Sequence, residues 1–250
     1  PTMPLETTLI FLATIAVGSY IQTVTGFAMG LIIMGFITSL GLAPVIFTAA
    51  VISVLALINT LLAVHQNHHH INWDILKITS FGLLPGIGLG IWLLDHLSQA
   101  STNLLQVILG SVIIIGGILL MLKPHPTKTL APKTVSFFTG TASGIIGGLF
   151  STGAPPMVYY LYKQPLSIDT IRSTLLSVFV LATIFRIIFI SFDGHFTDDV
   201  LWMCAWGLPC VFVFTLLGKK FPPPMSDLTM RRSAFGLLII LGSSLLVTSI

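Results

Sequence analysis

The chain has 250 residues, of which 54% are hydrophobic and only 8% charged, and its formal net charge is +3. Soluble domains are about one-quarter charged, and the mean hydropathy here is +1.00. This composition excludes a soluble globular protein and indicates an integral membrane protein, whose first partner is the lipid bilayer and for which no nucleic-acid partner is expected.

Ten apolar segments follow one another along the chain, five in each half. In the first half they span residues 5–20, 27–40, 45–64, 75–94 and 104–122. Their counterparts in the second half span residues 135–150, 156–162, 175–192, 200–217 and 233–247. Several reach the roughly 20 residues that a membrane-spanning helix needs.

The two halves match when the sequence is shifted by roughly 125 residues, which indicates an internal repeat. Thr25-Gly26 then aligns with Thr152-Gly153, and Ser53 with Ser177. We therefore predict one membrane domain made of a first repeat (residues 1–122), a cytoplasmic linker (123–134) and a second repeat (135–250).

The first two segments of each half are expected to be half-helices, because they are too short to cross a hydrocarbon core of about 30 Å at 1.5 Å per residue. The predicted fold class is therefore an all-α integral membrane protein with two repeats, each a re-entrant or broken helical hairpin plus three transmembrane helices. An odd number of crossings per repeat makes the two repeats inverted. The inverted relation holds even if every short segment crosses.

The basic residues sort to one side of the membrane under this topology. Ten of the eleven fall on a single side, which the positive-inside rule assigns to the cytoplasm. They are Lys77, Lys123, Lys128, Lys133, Lys163, Arg172, Lys219, Lys220, Arg231 and Arg232. The prediction is a multi-pass protein of the cell (inner) membrane, with cytoplasmic basic loops and with the N- and C-termini outside.

The predicted hairpin tips are YIQTVTGFAMG (residues 20–30) and GLFSTGAPPM (residues 148–157), where small and hydroxyl-bearing residues interrupt the apolar pattern. We expect the second break to begin near Ser151 and the helix to resume near Pro155, because proline suits the first turn of a helix. A helix that starts inside the membrane presents the positive end of its dipole and free N–H groups, which attract an anion.

The side chains expected around a small oxyanion at these tips are hydroxyl and amide donors together with glycines that let the main chain approach the ligand. They are Gln22, Thr25, Gly26, Ser151, Thr152 and Gly153. The alternative is that both tips are helix-packing motifs of small residues whose hydroxyls bond back to their own helices. The occurrence of two inverted tips at matching positions favours the anion site.

Two polar residues within long apolar segments complete the predicted site. Arg186 has no acidic residue within an apolar segment to pair with, so a substrate anion is its expected partner, unless its side chain extends to the outer surface. Asn59 contributes to the cavity or forms a hydrogen bond between helices, and the sequence favours neither role. Without an intramembrane carboxylate, a coupling ion, H⁺ or Na⁺, would have to use carbonyl and hydroxyl oxygens.

Other motifs give no cofactor or metal site. The loop HQNHHH (residues 65–70) lacks a second ligand cluster, and GIGLG (residues 86–90) lies in a membrane helix without the βαβ unit of a dinucleotide site, so we interpret it as close helix packing. An intramembrane serine hydrolase built on Ser151 is the alternative from another class. The sequence FSTG does not match G-x-S-x-G, and His195 falls in a predicted outer loop, so we do not expect an enzyme.

The segments IQTVTGFAMG, SGIIGGLFSTGAPPMVYYL and LTMRRSAFGLLIILG resemble the sulfite exporter TauE/SafE family of bacterial TSUP-type permeases, over essentially the full chain. One departure is that Ser151, Thr152 and Ala154 replace part of a glycine-rich pattern. The resemblance implies transport of sulfite, sulfonates or other small organosulfur or carboxylate anions.

The expected function is thus a secondary transporter that binds a small anion between the hairpin tips and works by alternating access. An anion channel of the same fold is the alternative. The direction of transport, the coupling ion and the oligomeric state are not indicated by the sequence.

Overall fold

The computed structural model describes residues 4–64, 68–121, 125–224 and 227–249. In these residues it contains ten α-helices, a short 3-10 helix (His68–His70) and no strand. The α-helices are α1 (Leu5–Thr25), α2 (Met29–Ser39), α3 (Val45–Val64), α4 (Trp73–Ala100), α5 (Thr102–Met121), α6 (Lys133–Phe150), α7 (Ala154–Lys163), α8 (Ile168–Phe192), α9 (Asp198–Lys220) and α10 (Asp227–Ser249). Lys123, residues 65–67 of the histidine-rich loop and the predicted boundary between residues 122 and 123 lie outside the described residues.

The all-helical membrane fold is confirmed. Six helices in the described residues are long and apolar enough to cross a membrane, namely α1, α3, α4, α5, α8 and α9. The second helix of each half is short, with 11 residues in α2 and 10 in α7. Each of the ten predicted apolar segments coincides with one helix.

The expectation that the first segment is too short to cross is wrong for α1. This helix has 21 residues and is therefore about 31 Å long. It continues through the polar sequence before the tip because Thr23 Oγ1 donates to Ser19 O at 2.7 Å and Thr25 Oγ1 donates to Ile21 O at 2.7 Å. These bonds to the preceding turn satisfy the hydroxyls without breaking the helix.

The chain reverses at both predicted tips, and each pair of helices packs side by side. In the second hairpin, the hydroxyls of Ser136 near the start of α6 and Tyr160 near the end of α7 are 2.5 Å apart. In the first, Ser19 of α1 lies 3.8 Å from the sulfur of Met29 in α2. The tips are therefore turns of helical hairpins.

The second break lies where the sequence predicted it. Helix α6 ends at Phe150, Ser151 adopts a left-handed conformation with φ 58°, and α7 resumes at Ala154. The glycine in this turn is required for space, because a Cβ on Gly153 would lie 2.3 Å from Ser143 O. Its own φ of −95° is open to any residue.

The closest helix pair, α4 and α6, meets along two rows of glycines spaced four residues apart. Gly82, Gly86 and Gly90 of α4 face Gly140, Gly144 and Gly148 of α6. A Cβ on Gly86 would lie 2.5 Å from Thr141 O, so the two backbones are in direct contact. This arrangement agrees with the interpretation of GIGLG as a packing motif.

Each hairpin packs against the other half of the chain. Helix α1 packs on α9, and α6 packs on α4, so the first helix of each half meets the fourth helix of the other. The short second helix of each half likewise packs on the fifth helix of the other half, α2 on α10 and α7 on α5. The reciprocal pattern agrees with a twofold repeat, and the inverted relation of the repeats stays a prediction.

Candidate functional site

Arg186 lies inside the protein, with 2% of its surface exposed. Its Nη1 donates to Ser53 Oγ at 2.6 Å and to Ala49 O at 3.1 Å, both on α3, and its Nε donates to Gly148 O at 3.2 Å on α6. The guanidinium group therefore does not extend to the surface. Hydrogen bonds to carbonyl and hydroxyl oxygens orient this cation, and no carboxylate of the described residues lies within 4.0 Å of it.

The hydroxyl of Ser151, in the second tip, is connected to Arg186 through Ser53. Its Oγ lies 2.8 Å from Ser53 Oγ, which in turn accepts the hydrogen bond from Arg186. A continuous chain of hydrogen bonds thus links the tip to the buried cation. His195, the residue considered as a base for Ser151, instead contacts Asp95 Oδ1 through Nε2 at 3.0 Å.

A cavity of about 40 Å³ lies between the two hairpin ends and α8. Five residues of the predicted site line it, namely Gln22, Ser151, Thr152, Gly153 and Arg186. Since one water needs roughly 10–15 Å³, the cavity holds about three waters or one small anion. The other lining residues are Ala28, Gly30, Ala56, Thr60, Ile87, Gly147, Ala154, Phe179, Ala182 and Thr183.

The two hairpin ends touch at this cavity. A Cβ on Gly30, in the first turn of α2, would lie 2.8 Å from Thr152 Cβ and 3.2 Å from Ser151 O. Glycine at position 30 is thus what lets the two hairpins meet. The first turns of the two short helices, α2 and α7, consequently face the same space.

In the first turn of each short helix, some main-chain N–H groups cannot bind a ligand. Gln22 Oε1 accepts a hydrogen bond from Met29 N at 3.2 Å in the first turn of α2. In α7, Pro155 and Pro156 carry no N–H at all. The donors facing the cavity are therefore mainly side chains, and the expected cradle of main-chain N–H groups is smaller than the sequence alone indicated.

Thr25 and Gly26 shape the first turn and do not line the cavity. Thr25 Oγ1 lies 2.6 Å from Phe27 O and 2.7 Å from Ile21 O, so its hydroxyl closes the turn. Gly26 has φ 87° and packs against the side chain of Arg172, which donates to Val24 O. A left-handed residue at the end of a helix is favoured when it is glycine.

Asn59 also does not line the cavity. Its fully buried amide nitrogen lies 2.7 Å from Thr215 Oγ1 on α9, 3.1 Å from Thr23 Oγ1 and 3.2 Å from Ser19 O on α1. Of the two roles considered, the contacts correspond to the hydrogen bond between helices. Asn59 joins α3 to the helix pair α1 and α9.

Sequence reasoning aligned Ser53 with Ser177 in the repeat, but it assigned neither Ser53 nor the neighbours of Arg186 on α8 to the site. Phe179, Ala182 and Thr183 precede Arg186 by seven, four and three residues, so they share its face of α8. Helical spacing from the isolated arginine was the signal that could have identified them. No comparable local signal marks Ser53, whose contacts come from helices distant in sequence.

Comparison with known proteins identifies the family of the chain. The family model described as "Sulfite exporter TauE/SafE" matches residues 10–245. A curated relative from Cupriavidus necator, described as "Probable sulfite/organosulfonate exporter TauE", is 39% identical over 238 residues, which cover 95% of this chain and 93% of the relative. No solved structure matches the chain. A match of this extent shows that the chain belongs to the sulfite exporter TauE/SafE family of membrane transporters.

Proposed function

We propose that this protein exports sulfite or an organosulfonate across the cell membrane, with the substrate anion bound in the cavity between the two hairpin ends. The observation that carries the proposal is the buried Arg186 beside this cavity. Among the described residues, no carboxylate lies within 4.0 Å of its guanidinium group. A buried cation without a counter-ion is costly, and an anionic substrate would reduce that cost.

The donors around the cavity suit a compact oxyanion with several oxygens. The guanidinium group offers a planar set of N–H donors, and Thr152 brings a further hydroxyl to the cavity lining. The hydroxyl of Thr183 donates to Phe179 O, and that of Ser151 is bonded to Ser53 Oγ, so both can also accept at the cavity. Phe179 and Ala182 contribute apolar surface, which suits the organic part of a sulfonate. Sulfite and small sulfonates match this combination better than a metal cation does.

Alternating access is the proposed mechanism, with the contact of Gly30 and Thr152 as the point where the two hairpins separate. Each hairpin packs on helices of the other half, so a rocking motion of the halves would move the two ends relative to each other. Helix α8 carries Arg186 and lines the cavity along one side. The bound anion would then face the two membrane surfaces in turn.

A transport measurement tests this proposal against an anion channel of the same fold. Proteoliposomes are loaded with labelled sulfite, and an H⁺ or Na⁺ gradient is imposed in separate experiments. A secondary transporter moves sulfite against its own gradient when the correct ion gradient is present. Sulfite flux that only follows the membrane voltage, with no accumulation, would establish the channel instead.

Binding is tested separately by thermal unfolding of the purified protein with sulfite, an alkyl sulfonate, thiosulfate and small carboxylates. A ligand present at 100 times its Kd stabilises the folded protein by about 2.7 kcal/mol. We expect sulfite or the sulfonate to raise the unfolding temperature more than acetate does. An equal response to all anions would reflect a general salt effect and remove the assigned substrate class.

The proposed orientation places the N- and C-termini outside and the basic loops in the cytoplasm. In support, the linker contacts the end of α7, since Thr127 N donates to Lys163 O at 2.8 Å, so the second hairpin leaves on the side where it entered.

A variant without Cys204 and Cys210 allows a test with a membrane-impermeant thiol reagent. In intact cells we expect labelling of Gly194→Cys and no labelling of Lys128→Cys, and the reverse pattern would invert the topology.

A further inference from the structure

Two apolar grooves lie side by side on the outer surface of the helix bundle, on either side of Phe81. The first, between α4 and α8, has a volume of about 310 Å³, and the second, between α4 and α6, about 480 Å³. Both lie within the range of about 300–1,000 Å³ that small-molecule sites occupy. Phe81 is 71% exposed and forms the ridge that the grooves share.

One exposed lysine lies at the same end of each groove. Lys77 lines the first groove and Lys133 the second. Helices α4 and α6 run parallel, because Gly82 contacts Phe137 and Gly90 contacts Gly148. Lys77 precedes Gly82 by five residues and Lys133 precedes Phe137 by four, so the two lysines lie at about the same height along the two helices.

Neither of these two lysines forms an ion pair with another described residue. In the part of the chain that the structure describes, no carboxylate lies within 4.0 Å of either ammonium nitrogen. Asp74 lies one turn earlier on α4 without forming an ion pair with Lys77. Two unpaired cations at one level, each above an apolar groove, are complementary to one negative headgroup with two hydrocarbon chains.

Trp73 indicates the depth of this site. It lines the first groove one turn before Lys77 and is 59% exposed. Tryptophan and lysine collect at the boundary between the hydrocarbon and the headgroups, tryptophan through its amphipathic ring and lysine through contact with phosphate. The lysine end of both grooves is therefore at headgroup level, and the grooves extend from there into the hydrocarbon region.

We propose that this surface binds one anionic phospholipid, with its phosphate between Lys77 and Lys133 and one acyl chain in each groove beside Phe81. This inference goes beyond the proposed transport function and does not depend on it. The groove pair borders α4, α6 and α8, each of which contributes a residue to the lining of the candidate cavity, namely Ile87, Gly147 and Arg186. A bound lipid would thus hold together the helices that support the candidate cavity.

The test uses the full chain purified in detergent, with added dioleoyl phosphatidylglycerol or dioleoyl phosphatidylcholine. Native mass spectrometry counts the lipids retained, and thermal unfolding measures the stabilisation. We expect one phosphatidylglycerol per chain to be retained in preference to phosphatidylcholine. In Lys77→Gln/Lys133→Gln this preference should fall about 20-fold or more, because each lysine near a headgroup contributes about fivefold.

Matched controls separate this site from a general effect of charge or apolar surface. Lys128→Gln/Lys163→Gln removes two other predicted cytoplasmic charges outside the grooves and should leave retention unchanged. Phe81→Ala should lower retention of the lipid, whereas Phe192→Ala, at an exposed position on α8, should not.

Equal retention of the two lipids by the unmodified protein, or an unchanged preference in the groove double variant, would overturn the proposal. So would a dimer that forms through Phe81, because a second copy would then occupy the grooves.

Discussion

Arg172 and Arg186 lie on one helix, α8, and each donates a hydrogen bond to a main-chain carbonyl near the end of a different hairpin. Arg172 donates to Val24 O at the end of α1, and Arg186 donates to Gly148 O near the end of α6. The two arginines are 14 residues apart, about 21 Å along the helix. Cations are favourable at the C-terminal ends of helices, so α8 holds the first helix of both hairpins.

Replacement of Arg186 by lysine is expected to weaken anion binding tenfold or more and to lower the stability of the folded protein. Lysine keeps the charge but cannot reach Ser53, Ala49 O and Gly148 O together. A buried acceptor that loses its donor costs about 1–3 kcal/mol. Binding isotherms for sulfite and thermal unfolding of the same sample measure the two effects.

The matched control for this change is Arg172→Lys, on the same helix and also bound to a helix-end carbonyl, but outside the cavity. It should lower stability and leave anion affinity unchanged. Equal losses of affinity in the two variants would mean that Arg186 acts only through folding.

Thr152→Val should weaken anion binding by several-fold, because it removes a hydroxyl donor that faces the cavity while keeping the shape of the side chain. A neutral hydrogen bond contributes about 0.5–1.5 kcal/mol. Thr25→Val, at the corresponding position of the first tip, removes a hydroxyl that bonds to Phe27 O within the turn. It should change the unfolding temperature and not the affinity. A reversed result would place the substrate at the first tip.

Gly86→Ala should strongly destabilise the protein, because the added Cβ would lie 2.5 Å from Thr141 O in the α4–α6 contact. Overpacking of this kind costs about 1–3 kcal/mol or more. Gly88→Ala is the control two residues away on the same helix, where the nearest atom to the new Cβ is 3.9 Å distant. It should be neutral or stabilising, since alanine favours helix more than glycine does. Similar melting temperatures of the two variants would contradict the glycine contact.

Asn59→Ala should lower stability without changing anion affinity. The substitution leaves Ser19 O, Thr23 Oγ1 and Thr215 Oγ1 without the amide that now joins three helices. Breaking such a buried network costs about 1–3 kcal/mol. Chemical or thermal unfolding and a sulfite isotherm on the same preparation provide the measurement. A loss of affinity with unchanged stability would place Asn59 in the substrate site.

Asp95→Asn is expected to strengthen anion binding by about two- to threefold. Asp95 interacts electrostatically with Arg186, and its negative charge opposes an anion that binds there. A two- to threefold change corresponds to about 0.4–0.7 kcal/mol, the size expected for a carboxylate that is partly exposed to solvent and therefore screened. His195→Gln tests whether the effect arises only from loss of the contact with His195. Weaker binding in Asp95→Asn would instead indicate that this carboxylate positions Arg186.

The parts of the site that depend on local sequence were predictable. The break at Ser151 follows from adjacent small residues and prolines, and the special position of Arg186 follows from a single charge in a long apolar segment. Five of the eight predicted site residues line the cavity, and all of these except Gln22 belong to the second break or are Arg186 itself. The length of α1 was underestimated, because the polar residues before Gly26 look like the start of a turn although their hydroxyls bond within the helix.

The sequence by itself determined the membrane environment, the ten helical segments and the two helix breaks, because composition, periodicity and turn chemistry act over a few residues. Only the tertiary structure decided that Asn59 faces α1 and α9, that Arg172 holds the end of α1, and that Ser53 joins Arg186 to Ser151. These contacts join residues between 36 and 156 positions apart in the chain. Their partners are set by which helix faces pack together, and identical local patterns are compatible with several such packings.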